Sequence, residues 1–192
     1  MRAFLALVPP LEVIEQLDDV LAPRRDALAP RGEWRWSRPE HRHVTLAFLP
    51  ELDDWREEAL VEAGQRWADR TAPTRLSLRG AGAFPDPGAA RVLWAGVDEE
   101  VAGTLEHWAR SLRALASRAG GRVDGTRFLP HVTLARSVGG PRAAGHLLQA
   151  LDTVETSAWT AEEVCLVRSE LGQGPGGTPR HTVLHRWTLA RS

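Results

Sequence analysis

A tetrad occurs twice in this chain, as His43-Val44-Thr45-Leu46 and again as His131-Val132-Thr133-Leu134, 88 positions apart. Read as a β-strand, each copy alternates, sending His and Thr to one face and Val and Leu to the other. The apolar face needs a core behind it, so the repeat demands two equivalent strands, each backed by its own packing. Duplicated strand packing accounts for Val and Leu. It gives no reason for a polar His and a polar Thr to recur on the opposite face, and that recurrence marks a site. Histidine, with an unperturbed pKa of about 6.5, gives or takes a proton near neutrality. Two facing imidazoles can therefore protonate a leaving group and deprotonate a nucleophile in one step. Such a pair suits phosphoryl transfer without a metal.

The rest of the pattern is consistent with a duplicated unit. Arg2 to Val8 reads as a first strand, and after Pro9-Pro10 the residues Leu11, Ile14, Leu17 and Leu21 recur at near-helical spacing. The first tetrad continues as Ala47-Phe48-Leu49 and is closed by Pro50. Asp53-Asp54 is positioned to cap a second helix running to about Arg70, with Trp55, Leu60 and Trp67 on its apolar face. Two β-like stretches near 74 to 80 and 91 to 97 are separated by a Gly/Pro-rich loop at 80 to 88. Val101, Leu105, Trp108, Leu112 and Leu115 form one stripe of a helix from Asp98 to about Ala119, ended by Gly120-Gly121. The second tetrad follows, then a short helix near 141 to 151 and strands at about 160 to 169 and 180 to 190, with Gly172 to Gly177 as the turn between them. The expected fold is α+β, bilobal and pseudo-symmetric. Each lobe is an antiparallel sheet with helices, and a central cleft carries the two His-x-Thr motifs. No flexible linker interrupts the chain, so residues 1–192 are expected to form a single bilobal domain.

Composition removes several chemistries. A net charge of −1 argues against coating long nucleic acid, which needs a basic face, but leaves a short nucleic-acid end or a nucleotide open. All 24 basic residues are Arg. Without Lys there is no Walker A lysine, no Schiff base and no lysyl-nucleotidyl intermediate. Without Tyr there is no tyrosyl nucleophile. The single cysteine, Cys165, forbids an intramolecular disulfide and a multi-cysteine zinc site, and its apolar run Val164 to Val167 reads as a buried strand holding a structural thiol. The N-terminal apolar run is too short for a secretion signal, and no run approaches the roughly 20 residues that span a bilayer. The expectation is a cytoplasmic protein without a membrane segment.

Other candidates are weaker. His41 and His43 form a His-x-His pair of the kind that ligates zinc or copper, but no Asp, Glu or Cys stands at a matching position near His131, and a metal site needs three or four ligands. His41 is expected to be exposed beside Pro39. His107, His146, His181 and His185 have no repeating context and are read as surface or satisfied residues, although His181 and His185 are candidates to line the cleft. Arg136 closes the second motif and suits a phosphate, yet its strand parity is that of Val132 and Leu134, so it reaches the cleft only where the strand ends or bulges. Trp34, Trp36, Trp94 and Phe48 are candidates to stack on a base, with core packing the expectation for most of them and core parity for Phe48.

These residues resemble the two-histidine phosphoesterases, and among them the RNA 2′,3′-cyclic phosphodiesterases, historically called 2′-5′ RNA ligases. Besides the tetrads, the resemblance covers Arg2 to Leu7, Arg35 to Leu49, Arg91 to Trp94, Phe128 to Arg136 and Leu166 to Leu171. It implies opening of a terminal 2′,3′-cyclic phosphate to a 2′-phosphomonoester with the 3′ oxygen expelled. His43 would be the proton donor, His131 the proton acceptor activating water, Thr45 and Thr133 donors to the phosphate oxygens, and Arg136 a phosphate anchor. It also implies no cofactor and no metal, and a monomer acting on RNA ends with a 2′,3′-cyclic phosphate or on small cyclic nucleotides. ATP-independent 2′-5′ ligation and a non-catalytic RNA-end binder are the alternatives. The symmetry of the tetrads alone leaves open which histidine is acid and which is base.

Overall fold

The computed structural model describes residues 1–125 and 127–190. Its strands are β1 (Ala3–Leu7), β2 (Trp34–Trp36), β3 (Val44–Leu49), β4 (Thr74–Leu76), β5 (Leu78–Phe84), β6 (Val92–Val97), β7 (His131–Ser137), β8 (Trp159–Ala161), β9 (Glu163–Glu170) and β10 (Arg180–Thr188). The helices are α1 (Leu11–Leu28), α2 (Glu57–Ala68), α3 (Glu99–Arg118) and α4 (Gly145–Leu151). The fold is α+β. The main sheet runs β10-β9-β1-β3-β7-β6-β5, with β2 on β7, and β4 pairs β8 separately. Every pairing is antiparallel.

The centre of the sheet is where the duplication is visible. β3 and β7 meet through one pair, Val44 with Val132, the second residues of the two tetrads. Identical residues paired antiparallel are what a twofold axis through the pair requires. Outward from that axis, β1 and β9 flank β3 as β6 and β5 flank β7. Each wing therefore draws strands from both halves of the chain, because β5 joins β6 and β7 while β9 joins β1 and β3. The short strands β4 and β8 pair with each other and repeat the same relation.

Helices cover one face of the sheet. α2 and α3 pack together over β3 and β10, while α1 and α4 pack together with α4 on β5. The expected stripe of α3 is realised, with Val101, Leu105, Trp108 and Leu112 buried, and Glu99 and Glu100 in the first turn and Arg118 in the last complement the helix dipole. In α1 the buried face is Val13, Ile14, Leu17 and Leu21, and Leu11 stays exposed at the first turn. Trp187 is fully buried and donates its indole N–H to the Val61 carbonyl at 3.0 Å, seating α2 on β10. Among the described residues no helix is long and apolar enough to cross a membrane.

Two local expectations are corrected. Residues 80 to 88 are not a loop throughout, because β5 continues to Phe84 and the hairpin turn begins at Pro85. The glycines serve the strand itself. Gly80, at φ +67°, is the residue skipped by the pairing register, and Gly82 lies under the Trp94 ring, where a Cβ would stand 2.2 Å from it. Trp55 does not belong to the apolar face of the second helix. It lies in a 3-10 turn, Asp54–Arg56, is 74% exposed, and carries the Arg56 guanidinium over its ring, while Asp53 pairs with Arg56 instead of capping the helix.

Candidate active site

The uncovered face of the sheet carries the polar residues of both tetrads. One step either side of the Val44–Val132 pair, the antiparallel register sets His43 beside Thr133 and Thr45 beside His131. Each histidine thus neighbours the threonine of the other motif, and all four side chains line one cavity of about 560 Å³. Val44, Leu46, Val132 and Leu134 are buried in the core on the other side, as the alternation demands.

The alternation then breaks at the same place in both motifs. Leu5 pairs with Ala47 and Ala6 with Thr45, skipping Leu46, and Leu93 pairs with Ala135 and Trp94 with Thr133, skipping Leu134. Each skip is a β-bulge that buries two consecutive residues, Leu-Ala, and turns the following residue back to the polar face. Arg136 therefore enters the cavity despite its nominal parity, through the bulge that this requires. Phe48, at the equivalent position of the first motif, lines the cavity too, and its expected core parity is corrected by the same bulge. The sequence carried the signal: the repeat extends to Ala47 and Ala135, and two successive apolar residues cannot alternate.

A carbonyl two residues upstream acts on each histidine. His131 Nδ1 lies 2.7 Å from the Leu129 carbonyl and donates its proton there, leaving Nε2 as the acceptor. The His41 carbonyl favours the protonated form of His43. Phe4 stacks on His43 with centroids 4.4 Å apart, and Phe84 meets His131 edge-on at 5.0 Å. Burial pushes His43 down to about 3, with the His181, His41 and His131 imidazoles adding to the shift and the carbonyl bond opposing it. Burial also lowers His131, against its bond to Leu129 and with the Arg136 charge. In the empty cavity both imidazoles are neutral near pH 7.

The remaining lining is cationic. Arg2, Arg35, Arg38 and Arg136 join four histidines, and among the described residues no Asp or Glu lines the cavity. Such a concave cationic surface concentrates anions. His41 is not merely exposed beside Pro39, as expected, but lines the cavity with its ring 4.6 Å from that of His181. His181 lines the cavity as well. His185 instead packs its ring against Trp187, 5.2 Å away. Of the aromatic candidates Trp36 and Phe48 face the cavity, Trp34 lines a different apolar cavity near α4, and Trp94 lies behind His131 with ring centroids 6.1 Å apart. Arg2 and Phe4 were hidden in an apolar first strand whose parity is legible only once β1 is paired on both sides.

The segment carrying His43 is fastened from behind. Arg42 is buried between His41 and His43, donating to the Ile14 carbonyl at 3.0 Å and to the Asp18 carboxylate, both on α1. Burial raises the Asp18 pKa, but Arg42 and then Arg25 outweigh it and hold the carboxyl below its usual range. Asp18→Ala strands a buried guanidinium and is expected to cost about 2–4 kcal/mol, read as a lower denaturation midpoint. A midpoint equal to that of the unmodified chain would show that the Ile14 carbonyl and water suffice for Arg42.

A family model described as the 2′-5′ RNA ligase superfamily matches residues 9–173. The chain belongs to this superfamily. The RNA 2′,3′-cyclic phosphodiesterase of Thermus thermophilus is 34% identical, covering 98% of this chain and 90% of the relative. The protein of the same name from Methanothermobacter thermautotrophicus is 31% identical, covering 89% and 91%. Among solved structures, TT0787 of Thermus thermophilus matches with a TM-score of 0.76 at 32% identity over 100% of both chains. Escherichia coli LigT complexed with 3′-AMP matches with a TM-score of 0.75 at 28% identity, covering 98% of this chain and 97% of that one. The two solved structures share the fold of this chain over nearly its whole length.

Proposed function

We propose that this chain hydrolyses 2′,3′-cyclic phosphate ends of RNA to 2′-phosphomonoesters by acid–base catalysis between two histidines, with no metal or nucleotide cofactor. The observation that carries the reading is the cavity itself, where two imidazoles, one of them held by an upstream carbonyl, share with two threonines a cationic surface on which no carboxylate is found among the described residues. The names of the relatives, RNA 2′,3′-cyclic phosphodiesterases, and the nucleotide in the LigT structure point to the same substrate class.

In this reading the cyclic phosphate sits between the motifs with its non-bridging oxygens on the Thr45 and Thr133 hydroxyls, and Arg136 anchors its charge. His131, with Nε2 unprotonated, takes a proton from water as the water attacks phosphorus. His43, protonated, gives its proton to the 3′ oxygen as the P–O3′ bond breaks. The result is a 2′-phosphomonoester and a 3′-hydroxyl, with one proton moved from His43 to product and one from water to His131. The roles are assigned by the family resemblance.

Incubating an RNA that ends in a 2′,3′-cyclic phosphate with the protein in EDTA, and assigning the phosphate position in the product, tests the reading. A 2′-phosphate is the expected product. A 3′-phosphate, intact RNA, or turnover that depends on added metal would overturn it. An RNA with a 5′-hydroxyl in the same reaction reports ligation, since that hydroxyl can replace water as the nucleophile and leave a 2′-5′ joint.

A further inference from the structure

The cleft holds more positive charge than one phosphate can use. The scissile phosphate as described above engages His43, His131, both threonines and Arg136. His41, His181, Arg2, Arg35 and Arg38 are left over, and all five line the same cavity. Arg35 lies on β2 and Arg38 pairs with Glu40, whereas His41, His181 and Arg2 gather on the β1 and β10 side. His181 lies 4.6 Å from His41 and 5.5 Å from His43, with its edge toward Phe4 at 5.1 Å, and the Arg2 guanidinium lies over the Phe48 ring at 4.6 Å. Among the described residues none of these last three forms an ion pair with a carboxylate. In the sheet order His181, on β10, lies on the side of β3 away from β7 and His131, and the Arg2 charge reaches both His181 and Arg136. The cluster therefore adjoins the scissile position from the β1 side.

Two imidazoles in contact beside a guanidinium with no carboxylate partner can all donate N–H groups to one anion placed among them. We propose that His41, His181 and Arg2 form a second anion subsite, which takes the 5′ phosphate of the terminal nucleotide while its cyclic phosphate lies between His43 and His131. The inference rests on the function proposed above and deepens it: the preferred substrate bears a phosphate on both sides of the terminal sugar, as a polynucleotide end does and a bare nucleoside cyclic phosphate does not. Phe4 and Phe48, facing the cavity between the two subsites, form the apolar floor beneath that sugar.

The test compares adenosine 2′-monophosphate with adenosine 2′,5′-bisphosphate by calorimetry on the full chain, before and after the paired substitution His41→Gln and His181→Asn. The bisphosphate is expected to bind the unmodified protein about tenfold more tightly, the gain of roughly one added charge-assisted contact, and the ratio is expected to fall toward one in the paired variant. A ratio near one in the unmodified protein would overturn the proposal, and needs no variant to be folded. A tenfold ratio that survives the paired substitution would overturn it equally, placing the 5′ phosphate elsewhere. Turnover of cyclic-phosphate RNA in the same preparation separates the two readings. Turnover with a ratio of one would sink the subsite alone, and a tenfold ratio without turnover would support the subsite and sink the hydrolytic function.

Discussion

His43→Ala and His131→Ala each lower turnover of a 2′,3′-cyclic phosphate RNA end by roughly 10²–10⁴-fold, the contribution of one positioned proton-transfer group. The protein is expected to remain folded, because each tetrad is anchored by its core residues Val and Leu and not by the imidazole. Equal losses would confirm only that both matter. The roles separate when the leaving group is changed. If sulfur replaces the 3′ oxygen in the cyclic phosphate, the departing thiolate needs no proton, so the acid becomes dispensable while the base does not. With that substrate His43→Ala is expected to recover most of its loss and His131→Ala none. Recovery by His131→Ala instead would exchange the assignments. Recovery by neither would mean that His43 does not act on the leaving group. This is the measurement that the pseudo-symmetry calls for, since the Val44–Val132 axis relates the two motifs and their shared residues alone do not separate acid from base.

Much of the fold could be read from periodicity because its two strongest signals, the tetrads and the α3 stripe, are ones in which packing and sequence agree residue by residue. The failures of strand parity share one cause. Strict alternation assumes an unbroken ladder, and both motifs contain a bulge after Thr, so Phe48 and Arg136 return to the polar face against their parity. Gly80 and Gly82 read as loop residues for the same reason. One is itself a bulge and the other makes room for the Trp94 ring across the ladder, and neither the bulge nor the ring's position can be known before β5 and β6 are paired. His41, His181 and Arg2 share no pattern in sequence that would group the three. They converge only when β10 lies on β9 and β9 on β1, a crossing of the two halves that local pattern does not reveal. The repeat locates the paired histidines and threonines, and the long-range strand order supplies the cations around them.

Anion binding to this cleft is expected to draw a proton from solution. Burial and the surrounding imidazoles hold His43 near 3 and, with Arg2, His181 near 4, so both are neutral in the empty protein at pH 6. A phosphate placed against His43 supplies the opposite charge that favours its protonated form and lifts its pKa. The cleanest ligand is adenosine 2′,3′-cyclic phosphate bound to the His131→Ala variant, since this diester does not titrate near neutrality and the variant does not consume it. Calorimetry at pH 6 in two buffers of different ionisation enthalpy should report uptake of about one proton, with affinity falling about tenfold per pH unit as pH rises until it passes the raised pKa. No uptake would mean that His43 stays neutral against the phosphate and cannot be the acid. The same depression acts on stability with a definite sign. The unfolded His43 accepts its proton near 6.5 and the folded one only near 3, so unfolding gains protons in that interval. Stability contributed by the neutral imidazole is intact above about pH 6.5 and lost as pH falls toward 3. A bound phosphate removes the penalty by letting the folded protein hold the proton as well, so the ligand should protect the fold most in the acidic range where the empty cleft is weakest.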